Sequence, residues 1–124
     1  MSARRNKYGA QRTWGQGRCF DSKGEKLRHD ELMILQRGGF IGELSCQPRV
    51  QLVAGITYVP DFRYIEKGKV VYEDFKGTET AVFKLKAKLW TVFGPGKLRI
   101  TKRDGGRTIT VREILPTQPN GENK

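Results

Sequence analysis

Asp61, Asp74 and Lys76 are the side chains whose types and spacing could do chemistry together. They flank a Lys67-Gly68 pair set between runs rich in Tyr, Val, Phe and Ile, a pattern that predicts a β-hairpin. With the turn centred on that pair, Glu66 faces Lys69, Arg63 faces Tyr72 and Asp61 faces Asp74. A two-residue and a four-residue loop give the same register. Directly opposed residues share a face, with Cβ atoms about 4.5–5.5 Å apart. Alternation puts Lys76 on the face of Asp74 and sends Glu73 and Phe75 to the other. Like charges directly opposite destabilise a sheet, so either one carboxyl is protonated or a cation sits between the two. Mg²⁺ is commonly held by one or two carboxylates together with water and substrate phosphate, and Lys76 adds a donor for a phosphate oxygen or an attacking water. The constellation predicts metal-dependent cleavage of a phosphodiester. The competing reading is a hairpin whose charges only keep its outer face solvated. Asp is disfavoured inside strands, yet two interrupt these runs.

The elements around the hairpin read in order. Residues 1–12 are basic, with Arg4, Arg5, Lys7 and Arg12, and are expected to be a flexible arm that settles on phosphates. Residues 13–115 are expected to form one domain. Turns around Gly15 and Gly17 lead to a short extended piece. Ser22-Lys23-Gly24-Glu25 has capping-box spacing, opening a helix from about Lys23 to Gln36, with Leu27, Ile34 and either Leu32 or Leu35 facing inward. Glu25 is explained by the cap, though it could also lean over the sheet as a third acidic ligand. His29, one turn on, is expected to be exposed, with a supporting role behind the site as the alternative. Phe40 to Cys46 reads as a strand and 49–54 as extended. Gln47 between them reads as a loop residue or as one pointing at the site. A second helix is expected from about Thr80 to Phe93, where Val82, Leu85, Leu89 and Phe93 recur at helical spacing with Phe83 and Trp90 beside them. Lys84 and Lys88, one turn apart on it, could address one phosphate backbone. Lys97–Thr101 and Thr108–Ile114 alternate across Asp104-Gly105-Gly106, another hairpin. Residues 116–124 read as a disordered tail.

Composition narrows the partners. The 124 residues carry 24 Lys and Arg against 13 Asp and Glu, a net charge of +11, with pI near 10.0 and mean hydropathy −0.62. That excess implies a polyanionic partner, most often nucleic acid. No apolar run is long enough to span a bilayer and no leader pattern follows Met1, so no membrane role and a cytoplasmic location are expected. Cys19 and Cys46 are in no metal-ligand spacing and read as reduced and structural. A single histidine excludes multi-histidine metal sites, and no Ser-His-Asp arrangement is evident around it.

Pro60-Asp61, a spacer, then Asp74-Phe75-Lys76 resembles the signature of the PD-(D/E)xK nuclease superfamily. Asn6-Lys7-Tyr8, Phe20-Asp21-Ser22-Lys23-Gly24-Glu25, Gln47-Pro48, Asp61-Phe62-Arg63-Tyr64, Glu73-Asp74-Phe75-Lys76-Gly77 and Thr80 with Phe83-Lys84-Leu85-Lys86 extend the match. They resemble a small phage-encoded family of that superfamily, long catalogued as a domain of unknown function and similar to Holliday junction resolvases. The resemblance covers roughly residues 6–102. It implies an α/β, restriction-endonuclease-like core of order αβββαβ, a mixed β-sheet flanked by helices. It also implies Asp61 and Asp74 as metal ligands, Glu25 as the helix-borne acidic residue beside them, and Lys76 as the motif lysine. Gln47 and Glu73 are accessory candidates, although Glu73 falls on the face opposite Lys76.

The expectation is a Mg²⁺- or Mn²⁺-dependent, structure-selective DNA endonuclease, encoded by a phage or prophage and acting in the bacterial host. Its substrates would be branched intermediates of recombination or replication: Holliday junctions, flaps or forks. Resolving a four-way junction takes two cuts, so a homodimer is expected on that substrate. The alternatives are a non-catalytic basic protein binding DNA or RNA, and a site-specific restriction-type endonuclease.

Overall fold

The computed structural model describes residues 13–15, 18–20 and 22–117, with side chains from 22 onward. The arm residues Arg4, Arg5, Lys7 and Arg12 and tail residues 118–124 lie outside the described set, as does the side chain of Cys19. The central ribbon forms in the expected register. β6 (Phe62–Glu66) and β7 (Lys69–Phe75) pair antiparallel, with Glu66 opposite Lys69 and Arg63 opposite Tyr72. Lys67 and Gly68 both take positive φ, 53° and 78°, as in the two-residue turns whose twist matches that of the flanking strands.

β3 (Gly42–Cys46) pairs antiparallel with the other edge of β6. β8 (Lys97–Asp104) runs parallel to β7, and β9 (Arg107–Ile114) antiparallel to β8, giving the order β3-β6-β7-β8-β9. Parallel neighbours need a crossover, here supplied by α2 (Ala81–Phe93). With α1 (Lys23–Arg37) ahead of β3, the chain runs α1-β3-β6-β7-α2-β8. This is a five-stranded mixed sheet flanked by helices, compatible with a restriction-endonuclease-like core of order αβββαβ. β1 (Thr13–Gly15) pairs with β2 (Arg18–Phe20) as a separate hairpin. The extended stretch at 49–54 is half of another, β4 (Val50–Val53) with β5 (Ile56–Tyr58), standing apart from the main sheet.

The sheet is covered on both sides, which is why β7 is buried at consecutive positions rather than alternate ones. Val71 joins Leu32, Ile41, Phe62 and Tyr64 beneath α1. Tyr72 joins Tyr58, Phe83, Ala87, Trp90, Leu98 and Ile100 beneath α2 and the β4–β5 hairpin. Glu73 and Asp74 continue the alternation, and both are buried.

Each helix buries only part of the face its apolar spacing predicts, Leu32 on α1 and the partly buried Leu89 on α2. On α1 the buried residues are Glu25, His29 and Leu32, while Leu27 and Ile34 are 48% and 63% exposed. His29 is not at the surface: its ring stacks on Phe62 at 6.0 Å between centroids. The inward face is polar because it covers the charged end of β7. On α2 the buried set is Phe83, Ala87 and Trp90, and Val82, Leu85 and Phe93 are exposed. Two large aromatic side chains outweigh a stripe of aliphatic ones. The fully buried Trp90 Nε1–H also donates to the Gly96 carbonyl at 2.7 Å, fixing the rotation. At the end of the described residues Thr117 N–H donates to the Thr91 carbonyl at 2.7 Å. Among the described residues no helix is long and apolar enough to cross a membrane.

Candidate active site

The site lies at the open end of the β6–β7 ribbon, one pair beyond Phe62 and Glu73. Gln47, at positive φ, donates its backbone N–H to the Asp61 carbonyl at 2.8 Å. Asp61 Oδ2 reaches across the ribbon and accepts the Phe75 N–H at 2.8 Å. Asp74 Oδ2 accepts the Tyr58 hydroxyl and stands 3.5 Å from the Lys76 ammonium. Lys76 is fixed at both ends. Its backbone N–H donates to the Thr101 carbonyl at 2.8 Å, prolonging the β7–β8 pairing, and its ammonium lies 4.9 Å from the Phe83 ring centroid, a cation–π distance.

Glu25 arrives from α1. Ser22 Oγ accepts the Glu25 N–H at 3.1 Å, the expected N-cap, and the Glu25 side chain turns inward with 3% exposure. Gly24 makes this approach sterically open: a Cβ there would lie 2.6 Å from a Phe75 ring carbon. The glycine lets the first turn of α1 close on the strand end whose amide Asp61 holds.

Three carboxylates gathered this way disfavour one another's charge. The Asp61 carboxyl is held well above its ordinary range, first by burial, then by the charge of Asp74 and a hydrogen bond with it, then by the charge of Glu25. The Phe75 N–H opposes that shift. Asp61 keeps part of its surface open to solvent, yet its carboxyl sits deep enough for burial to lead. Burial, and next the charge of Asp74, push the Tyr58 hydroxyl up. The raised Asp61 carboxyl thus favours its neutral form beside Asp74.

The donor set suits a hard divalent cation, being all oxygen, without thiolate or imidazole. Among the described residues no three His, Cys, Asp or Glu side chains are arranged to hold a metal ion as they stand. A cation bound there would compete with the proton that the raised Asp61 carboxyl favours.

Glu73 does not join this group. It is fully buried on the α1 face, where Arg28 Nε and Nη2 donate to its two oxygens at 2.6 and 2.9 Å, Tyr64 at 2.6 Å and Thr101 at 2.9 Å. Lys84 and Lys88 are exposed on α2 and line a cleft of about 320 Å³ with Arg112, itself bonded to Glu79 at 2.8 Å. Sequence reasoning missed Tyr58, Arg28 and the steric role of Gly24. Tyr58 had a visible signal, a phenol three residues before Asp61. Arg28 had none, since its partner is 45 residues away.

Comparison with known proteins gives a family and little else. Among curated proteins no relative matches the chain. A solved structure described as "Crystal structure of SSO0001" is similar at 18% identity and a TM-score of 0.39, covering 73% of this chain. The chain spans half the length of that protein. The family described as "Protein of unknown function (DUF1064)" matches residues 5–101, and the chain belongs to it.

Proposed function

We propose that this protein is a Mg²⁺- or Mn²⁺-dependent endonuclease of the PD-(D/E)xK superfamily that cuts branched DNA during phage-type recombination or replication. The observation that carries the reading is the meeting of Asp61, Asp74 and Glu25, from two strand ends and a helix, with Lys76 beside Asp74. A purely structural hairpin has no reason to bury mutually repelling carboxylates, because each costs free energy unless neutralised.

Asp61, Asp74 and Glu25 are the residues that would hold the metal. Bound there, it would supply Lewis acidity at the scissile phosphate. Asp61, whose carboxyl is raised, would take part once deprotonated. Lys76, anchored by its backbone and its contact with Phe83, presents a preorganised positive charge that can orient a water or offset charge developing on the phosphate. Tyr58 holds the orientation of Asp74. Gln47 fixes the backbone at Asp61. Arg28 fixes Glu73, and with it the placement of α1 against β7. Lys84, Lys88 and the arm residues Arg4, Arg5, Lys7 and Arg12 are the proposed phosphate contacts, which set orientation rather than sequence.

The chain offers no evident module for reading base edges, so selection by DNA shape is favoured over restriction-type recognition. The test is incubation with a synthetic four-way junction, a flap, linear duplex and structured RNA, each with Mg²⁺ and with EDTA. The reading expects cutting of a branched DNA with Mg²⁺ only. Binding without cutting under every metal condition would favour a non-catalytic basic binder instead.

A further inference from the structure

Beside the carboxylates, between β5, the end of β7 and the first turns of α2, lies a cleft of about 270 Å³ lined by Thr57, Val59, Lys76, Val82, Phe83 and Lys86. We infer that it is a nucleoside subsite, holding the sugar and base attached to the scissile phosphate. The inference rests on the nuclease reading for its substrate and on the cleft alone for its chemistry. Its position is set by Lys76, which both lines the cleft and stands 3.5 Å from Asp74. A phosphate at the carboxylates therefore has its neighbouring sugar at the cleft mouth.

Size and lining agree with that occupant. At about 270 Å³ it falls just below the roughly 300–1,000 Å³ of pockets for drug-sized ligands, which leaves room for a single nucleoside but not for a duplex. Val59 and Val82 present apolar surface, 39% and 63% exposed, the kind of surface a base or deoxyribose covers. No acidic residue lines the cleft. At one wall the Lys86 ammonium donates to the Thr57 carbonyl at 3.0 Å, holding a cation where an adjoining phosphate would lie. A base stacked inside a duplex cannot enter. An unpaired one can, and unstacking is least costly where pairing is already broken. The subsite would thus give a nuclease its preference for branch points without any base-edge contact.

The experiment uses the full chain, ¹⁵N-labelled and in EDTA, titrated with thymidine 5′-monophosphate, with thymidine and with inorganic phosphate, read by amide chemical shifts. The monophosphate should give saturable shifts at Thr57, Val59 and Val82. Thymidine should move the same amides more weakly, and phosphate alone should leave Val59 and Val82 unmoved. Val82→Trp, at an exposed position outside the core, should fill the cleft and abolish the shifts. Lys86→Gln should weaken binding by up to about fivefold, the scale of one partly exposed charge interaction. Absence of saturable shifts, their full reproduction by inorganic phosphate, or unchanged binding by Val82→Trp would each overturn the subsite. Because no metal is present, the two proposals fail separately. Cutting without nucleotide binding removes the subsite alone, and nucleotide binding without cutting removes the nuclease reading alone.

Discussion

Glu73 and Asp74 are neighbours in sequence with opposite tasks, and substitution should separate them. Glu73 is fully buried, with both oxygens bonded to Arg28 at 2.6 and 2.9 Å. Arg28→Ala leaves that charge with only the Tyr64 and Thr101 hydroxyls. Removing one partner of a buried pair costs about 3–5 kcal/mol, a large part of the roughly 5–15 kcal/mol that holds a domain together. Glu73→Gln should cost less, about 1–3 kcal/mol, because Arg28 keeps Glu31 at 3.2 Å and has a route to solvent. Adding Glu73→Gln to Arg28→Ala should recover part of the loss, the non-additivity expected of residues in contact. Urea unfolding of the four proteins measures the cycle. An Arg28→Ala cost below about 1 kcal/mol, the value of an exposed pair, would refute the reasoning. The Mg²⁺ response should divide the neighbours the other way. Glu73→Gln should keep any stabilisation by metal, about 2.7 kcal/mol at a hundredfold excess over Kd, and Asp74→Asn should lose it.

Three further outcomes are expected. The raised Asp61 carboxyl makes its contribution to metal-free stability fully present below its unfolded value of 3.8 and lost as pH rises through the folded value. Melting in EDTA across pH should show that decline, and Asp61→Asn should remove it. Gly24→Ala, with its Cβ 2.6 Å from the Phe75 ring, should cost about 1–3 kcal/mol and reduce cleavage, whereas Gly77→Ala, which meets nothing within 4 Å, should do neither. Replacing Lys84 and Lys88 with Ala should lower the slope of log binding constant against log salt by about one per lysine; an unchanged slope would remove them from the DNA path.

The ribbon and the candidate site were legible because strand pairing is arithmetic. Once Lys67-Gly68 was taken as the turn, alternation fixed which side each residue of β7 faced, and Glu73 and Asp74 separated as expected. The helices were less legible because a helix shows which residues share a face but not which face is inward. α1 turns Glu25 and His29 into the protein, so its buried side looks polar. α2 carries an aliphatic stripe with Val82 and Leu85 that stays outside, while Phe83 and Trp90 decide the packing. The β4–β5 hairpin escaped notice because four residues and three residues around Ala54-Gly55 are too short for a periodic signal. Tyr58 and Arg28 act on partners 16 and 45 residues away, distances that no local pattern encodes.

The central claim is that a divalent cation binds between Asp61 and Asp74, displacing the proton that the raised Asp61 carboxyl favours. Titrating Mn²⁺ into the wild-type protein and into Asp74→Asn, by calorimetry or by the loss of the free-Mn²⁺ paramagnetic resonance signal, tests it most directly. The account predicts saturable binding to the wild type, accompanied by proton release, and its loss in Asp74→Asn with the fold intact. Equal Mn²⁺ binding by the two proteins, or none by the wild type, would contradict it.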